Sequence, residues 1–381
     1  MPKKSDDESK MSTASFLDWF WTRTTRSSTK AKAANQRDAS KEEKEAKANA
    51  DLGPKIQKEN ANAKNRSRTT TLKLFFEACE SGNLDLIEDI IEEKEGSVEE
   101  NIDVIINGKD ENGTTPLHVA AYNGHVDVVG KLVSNGALMG EPIRPEGWTP
   151  LHLASELGHA VVVSYFINNC PTDVLTSQDE AGLTALHFAV INGHSDVAQM
   201  LCHASEKVDL DAKDNIERTP LHYAVSNGDI QIVDLLLEHK VDVNVRDQNC
   251  LTPLHLACSE GHLDIAKSLI KHKASLNASN MEHATPLHFA AENGHYQIAE
   301  YLIKSKALIN ATTSHKWTPL HVAAFHGNYQ IVKLFVQNRA KINARGRKQL
   351  TPLDLAAQGQ FYDIAELLMK YGAYVPFIGS R

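Results

Sequence analysis

Histidine is the residue that most invites chemistry in this chain, with eighteen present. Imidazole titrates near neutrality and ligates zinc, so general-base and metal-centre readings come first. Seven histidines close a T-P-L-H motif or near variant: His118, His152, His187, His222, His255, His288 and His321. Five more follow a glycine: His125, His159, His194, His262 and His295. Equivalent histidines in successive copies stand too far apart to share an ion whose ligands lie ~2 Å from it. No metal and no cofactor are therefore expected. The five cysteines, Cys79, Cys170, Cys202, Cys250 and Cys258, are odd in number and contain no C-x-x-C pair. Neither a disulfide framework nor a zinc knuckle fits, and reduced thiols in a cytoplasmic or nuclear setting are expected. The phosphate-cradling, dinucleotide-binding, H-E-x-x-H and G-x-S-x-G motifs are absent from the sequence. Ser268-Leu269-Ile270-Lys271 has S-x-x-K spacing without its companion motifs. No catalytic residue is assigned and no enzyme is expected. Asn65, Asn277 and Asn310 begin N-x-[ST] sequons, but no secretory signal opens the chain, so glycosylation is not expected.

The spacing of these histidines belongs to a repeat. T-P-L-H or a variant begins at Thr115, Thr149, Thr184, Thr219, Thr252, Thr285, Thr318 and Thr351, at intervals of 34, 35, 35, 33, 33, 33 and 33 residues. Each part has a physical job. Thr caps a helix and Pro is pre-set for its first position. Small apolar residues follow, letting neighbouring helices approach closely. A glycine about nine residues after the Thr ends the helix and turns the chain. A second helix is expected from paired apolar positions such as Ile298, Ala299, Leu302 and Ile303, with charge on its other face. Short links rich in Asn, Asp and Gly suit tight turns. One such helix pair cannot bury its apolar face alone, whereas stacking the next copy against it does.

This pattern resembles the ankyrin-repeat family over about residues 73–381. The resemblance implies an all-α solenoid of helix-turn-helix units with projecting hairpin-like fingers, and a structural role for the motif histidine, bonded locally and to its neighbour. Lys73–Cys79 aligns with Thr115–Ala121 as a degenerate opening unit. Its excess length falls in Glu92–Asn112, where an extended acidic loop is expected. The last unit carries Asp354 in place of the histidine and reads as the closing cap, with Tyr374, Val375, Pro376 and Phe377 covering its open end. Further insertions fall around Gly140–Glu146, Cys170–Ser177 and Ser205–Leu210.

The same resemblance places a protein partner in a concave groove built from the fingers and the ends of the first helices. The seventh and eighth positions after each Thr would face it, with Tyr122, Asn123, Glu156, Leu157, Ile191, Asn192, Phe325 and His326 the candidates. On the fingers the candidates are Trp148, Arg218, Met281 and Trp317, although both tryptophans also suit bracing of their own fingers. Exposed aromatic and apolar side chains on such a face are the expected hot spots. Asn244, Asn277, Asn310 and Asn343 recur at intervals of 33 in the links, where Asn makes turn hydrogen bonds. Ankyrin repeats as a class are also hydroxylated at this asparagine, preferring a Leu eight residues earlier. Leu236, Leu269 and Leu302 meet that pattern for Asn244, Asn277 and Asn310, and Phe335 departs from it.

Residues 1–72 read as a disordered basic tail, with 16 Lys plus Arg against 10 Asp plus Glu. The remainder carries 24 against 39, a net charge of −15. An acidic body repels nucleic acid and anionic membranes and attracts basic partners. Within the tail, Phe16, Leu17, Trp19, Phe20 and Trp21 form an apolar cluster followed by Arg23, Arg26 and Lys30. Docking into a partner's groove, anchoring at a membrane interface, or folding back onto the repeats are its open readings. The expected function is a monomeric, non-enzymatic scaffold or adaptor binding a protein in the groove. The alternatives are an inhibitor masking a basic partner such as a transcription factor, and a membrane adaptor anchored through residues 16–21.

Overall fold

The computed structural model describes residues 70–95 and 102–374. The tail cluster Phe16–Trp21 and the residues Val375, Pro376 and Phe377 lie outside the described residues. All regular structure among the described residues is helical. A helix over residues 70–81 pairs with Leu84–Glu95. Eight further pairs follow: Pro116–Tyr122 with Val126–Ser134, Pro150–Glu156 with Ala160–Asn169, Ala185–Ile191 with Ser195–His203, and Pro220–Asn227 with Ile230–Glu238. The second half of the array holds Pro253–Glu260 with Leu263–Lys271, Pro286–Glu292 with Tyr296–Lys304, Pro319–Phe325 with Tyr329–Gln337, and Pro352–Gln358 with Tyr362–Lys370. No helix among the described residues is long and apolar enough to cross a membrane.

Each first helix starts where the sequence dictates. Thr285 is extended at φ −100°, ψ 166°, and Pro286 takes the first helical position. The motif histidine then completes a capping box usually closed by Glu or Gln. Its Nδ1 accepts the backbone N–H of Thr285 at 3.0 Å and lies 2.9 Å from the Thr285 hydroxyl. The same box recurs at every T-x-L-H, and Asp354 reproduces it through Oδ2, 2.8 Å from the Thr351 N–H.

Packing runs continuously from one end to the other. The apolar faces of both helix layers join in one cluster from Phe75 to Ala373, with Leu117, Leu151, Leu186, Leu221, Leu254, Leu287 and Leu320 in equivalent buried positions. Alanines at the matching sites, such as Ala120, Ala154, Ala189, Ala224, Ala257, Ala290 and Ala323, are fully buried and keep the helices close. Each helix pair is too thin to shield its own apolar side, so its neighbour supplies the other wall.

One insertion differs from expectation, and a second carries a short helix of its own. The region expected as an extended acidic loop, Glu92–Asn112, instead continues its helix to Glu95 and forms a short helix Asp103–Ile106. The reason is apolar: Ile105 and Ile106 are buried against the core. Cys170–Ser177 likewise contains a short helix, Thr172–Leu175, that buries Val174 and Leu175.

Candidate partner-binding surface

The histidines form two ladders of opposite direction. In the forward ladder a backbone N–H donates to Nδ1, so the ring carries its proton on Nε2. That N–H donates to a carbonyl of the following unit: His118 to Trp148, His187 to Arg218, His222 to Leu251, His255 to Ala284, His288 to Trp317 and His321 to Leu350, at 3.1–3.3 Å. His152 departs and reaches Ser177, inside the insertion, at 3.0 Å. Burial lowers the pKa of all seven, to about 4 for His118, His152, His187, His222, His255 and His288. These are neutral structural rings, and no group of His, Cys, Asp or Glu among the described residues could hold a metal ion.

The backward ladder was not legible as such in the sequence. Histidines after glycine reach the carbonyl at the end of the preceding unit's first helix: His125 to Glu80, His159 to Tyr122, His194 to Glu156 and His295 to Ser259, at 2.8–3.0 Å. Asn328 does the same work, donating to Ala291 and Glu292 at 2.8 and 2.9 Å. The preceding glycine is required twice over. Gly261 sits at φ +87°, and a Cβ there would lie 2.6 Å from the His295 ring. Gly193 shares the positive φ but has nothing within 4 Å, because Asp229 stands where a histidine ring would be. The repeated G-H pair was the available signal for this ladder.

The fingers lie side by side, each joined to the next by a backbone hydrogen bond. Arg144 donates to Asn112, Glu180 to Glu146, Asn215 to Ala181, Gln248 to Ile216, Met281 to Asn249, Ser314 to Glu282 and Arg347 to His315, at 2.8–3.2 Å. Within a finger an Asx turn holds the tip: Asp247 Oδ1 accepts the N–H groups of Asn249 and Leu251 at 2.9 Å.

On this frame the candidate contact residues separate. Tyr122, Leu157, Met281 and Phe325 are exposed at 51%, 38%, 64% and 47%. Ile191 is half-buried. Tyr122, Ile191 and Phe325 are the last residues of three first helices at the same repeat position, and Leu157 stands one place later, just past the end of a fourth. Asn123 and Asn192 turn back to their own helices, donating to Val119 and Phe188. Burial raises the pKa of the Glu156 carboxyl. His326 lies 3.9 Å from Glu292 across the unit boundary.

Three finger candidates are engaged within the array. Trp148 donates its indole N–H to Asp179 at 3.1 Å and meets Phe188 edge-on at 5.2 Å. Trp317 stacks on His321 and lies 5.3 Å from Phe325. Arg218 lies 3.5 Å from the buried Asp247 carboxylate of the next finger and over the Tyr223 ring. Both tryptophans thus brace their fingers, and Arg218 ties two fingers together.

The link asparagines staple adjacent links. Oδ1 of Asn244, Asn277 and Asn310 accepts the N–H of Ser275, Leu308 and Lys341 at 2.7–2.8 Å. All five cysteines are free, and Cys250 is the one not fully buried.

Comparison with known proteins agrees with this geometry. A family model described as ankyrin repeats (three copies) matches residues 52–142, 75–177, 138–214, 163–247, 221–313 and 305–376. The chain is also similar to Bos taurus ankyrin repeat domain-containing protein 49, at 40% identity over 65 residues, or 17% of this chain. That match spans about a quarter of the relative's own length, 24%.

Proposed function

The chain belongs to the ankyrin-repeat family, whose members generally serve as protein–protein interaction modules, and on that premise we propose that it is a non-enzymatic scaffold binding a protein partner along the finger side of its first helices. The observation that carries this reading is the row of Tyr122, Leu157, Ile191 and Phe325. Tyr122, Ile191 and Phe325 stand at one register of the repeat and Leu157 one place later, although the fold leaves polar alternatives open at that register, as Ser226 and Glu292 illustrate. Large side chains so placed give contact area at low entropic cost. Eleven of the eighteen histidines are engaged in the two ladders. Five unpaired thiols are in keeping with a reducing compartment, the cytoplasm or nucleus.

The test is affinity purification with the full chain and with Tyr122→Ala/Phe325→Ala, followed by measured affinity for each recovered protein. A true partner is expected to weaken by about tenfold or more, since central apolar anchors contribute on the order of 1–2 kcal/mol each. A folded double variant that retains the full affinity of every partner overturns the assignment.

A further inference from the structure

The net charge of the array conceals a local reversal. From residue 301 to residue 353 there are nine Lys plus Arg and no Asp or Glu. The preceding acid is Glu300 and the next is Asp354. In a body of net charge −15 this stretch carries +9. The fold concentrates part of it on the last two fingers. Arg347 donates its backbone N–H to His315 at 2.8 Å, so these fingers are neighbours. Lys316, Arg345, Arg347 and Lys348 all present exposed side chains there. Among the described residues no carboxylate lies within ion-pair distance of any of the four, and Arg345 meets only the neutral Gln349 amide at 3.4 Å. Directly beside them are Trp317, whose ring packs over the buried Gly346 backbone, and the exposed Phe325.

We propose that the last two fingers, with Trp317 and Phe325, form a subsite for a short acidic segment of a protein partner bearing an aromatic or aliphatic anchor. The proposal rests on the groove reading above and names the chemistry of one end of it. Unpaired cations supply attraction to carboxylates, and Arg345 and Arg347 can accept them two-pronged. Phe325 and Trp317 offer the apolar side chain a place to leave water. The patch is also bounded. Glu282 on the preceding finger and Glu292 beside His326 flank it with negative charge. A short acidic peptide fits within such a boundary, whereas a long polyanion or a membrane surface would extend over repelling neighbours.

The test uses the full chain and fluorescence anisotropy with a fluorescein-labelled peptide of alternating Glu and Phe. Its Lys-Phe counterpart, phosphatidylserine vesicles and a single-stranded oligonucleotide are run beside it, with sedimentation velocity on the chain alone. The Glu-Phe peptide is expected to bind saturably and the Lys-Phe peptide not to bind. Arg345→Glu/Arg347→Glu/Lys348→Glu should weaken the Glu-Phe peptide by about tenfold or more, and added salt should weaken it as well. Phe325→Ala should weaken it about fivefold and leave an all-Glu peptide unchanged. If circular dichroism shows the triple variant unfolded, the single changes Lys316→Glu and Lys348→Glu replace it. A folded reversal that binds the Glu-Phe peptide as well as the parent overturns the proposal. So does absence of Glu-Phe binding, a preference for vesicles or oligonucleotide, or self-association abolished by the reversal. A partner that depends on Tyr122 and Phe325 but ignores the reversal removes the acidic subsite and leaves the groove reading standing.

Discussion

At the residue scale, the motif histidine has a consequence for pH. Six of these rings have a pKa lowered to about 4 by burial, against 6.5 when exposed. The folded state therefore binds fewer protons than the unfolded state in that interval. Their contribution to stability is complete above pH 6.5 and is lost as pH falls from 6.5 towards 4. Each shift corresponds to on the order of 3 kcal/mol. The melting temperature is expected to be flat above pH 6.5 and to fall steeply below it. His255→Gln/His288→Gln should reduce that slope while lowering stability at neutral pH, as calorimetry across the interval would show. A slope unchanged by the double substitution would contradict the neutral, buried state of these rings. The glycines give a second, internally controlled case. Gly261→Ala must strain its backbone and displace the His295 ring, whereas Gly193→Ala faces open space. Gly193→Ala is expected to cost about 1 kcal/mol and Gly261→Ala a further 1–3 kcal/mol from the crowding, read as urea midpoints. Equal midpoints would refute the steric account of the glycine–histidine ladder.

At the scale of the element, the helix pair and its caps were legible in the sequence because their causes are local. Thr, Pro and His within four positions specify the start of a first helix, and paired apolar positions specify the second. What lay beyond reach depends on partners in a neighbouring unit, 29 to 37 residues away in the cases that follow. The backward reach of His159 to Tyr122 is one such case. The engagement of Arg218 by Asp247 is another, because nothing in Arg218's own neighbourhood of sequence pairs it with the next finger. Part of the insertion expected as an acidic loop, Asp103–Ile106, forms a short helix because two isoleucines among its acids reach the core. Counting acids across the segment hid them. The exposure of Tyr122, Leu157 and Phe325 follows from their places at the ends of first helices, which the repeat spacing gives. Bracing by the two tryptophans was already open in the sequence, whereas their partners Asp179, Phe188 and His321 were not. The link asparagines provide a prediction at this scale. Asn277→Ala removes the acceptor for Leu308 N–H and should cost about 1 kcal/mol. Hydrogen exchange should rise at Leu308 and not in the flanking helices. Protection spreading unchanged through Leu308 would show that the staple contributes nothing.

At the scale of the molecule, stability is a sum of units and junctions. Removing residues 351–381 uncovers the apolar side of Pro319–Phe325 and Tyr329–Gln337, including Leu334, Phe335 and Val336. The truncated chain is expected to bind a hydrophobic dye, to melt lower and to lose hydrogen-exchange protection first in those two helices. A truncated chain that melts at the parent temperature without dye binding would mean that the last unit is not part of the cooperative array. The junctions themselves are uneven across their width. On the helical side the bond between units is a continuous apolar wall. On the finger side it is one main-chain hydrogen bond per step, helped by side chains such as the histidines. Such a stack resists sliding but yields to bending, like a leaf spring clamped along one edge. Whatever grips two fingers at once can therefore alter the curvature of the row at modest cost, and with it the spacing of side chains several units away.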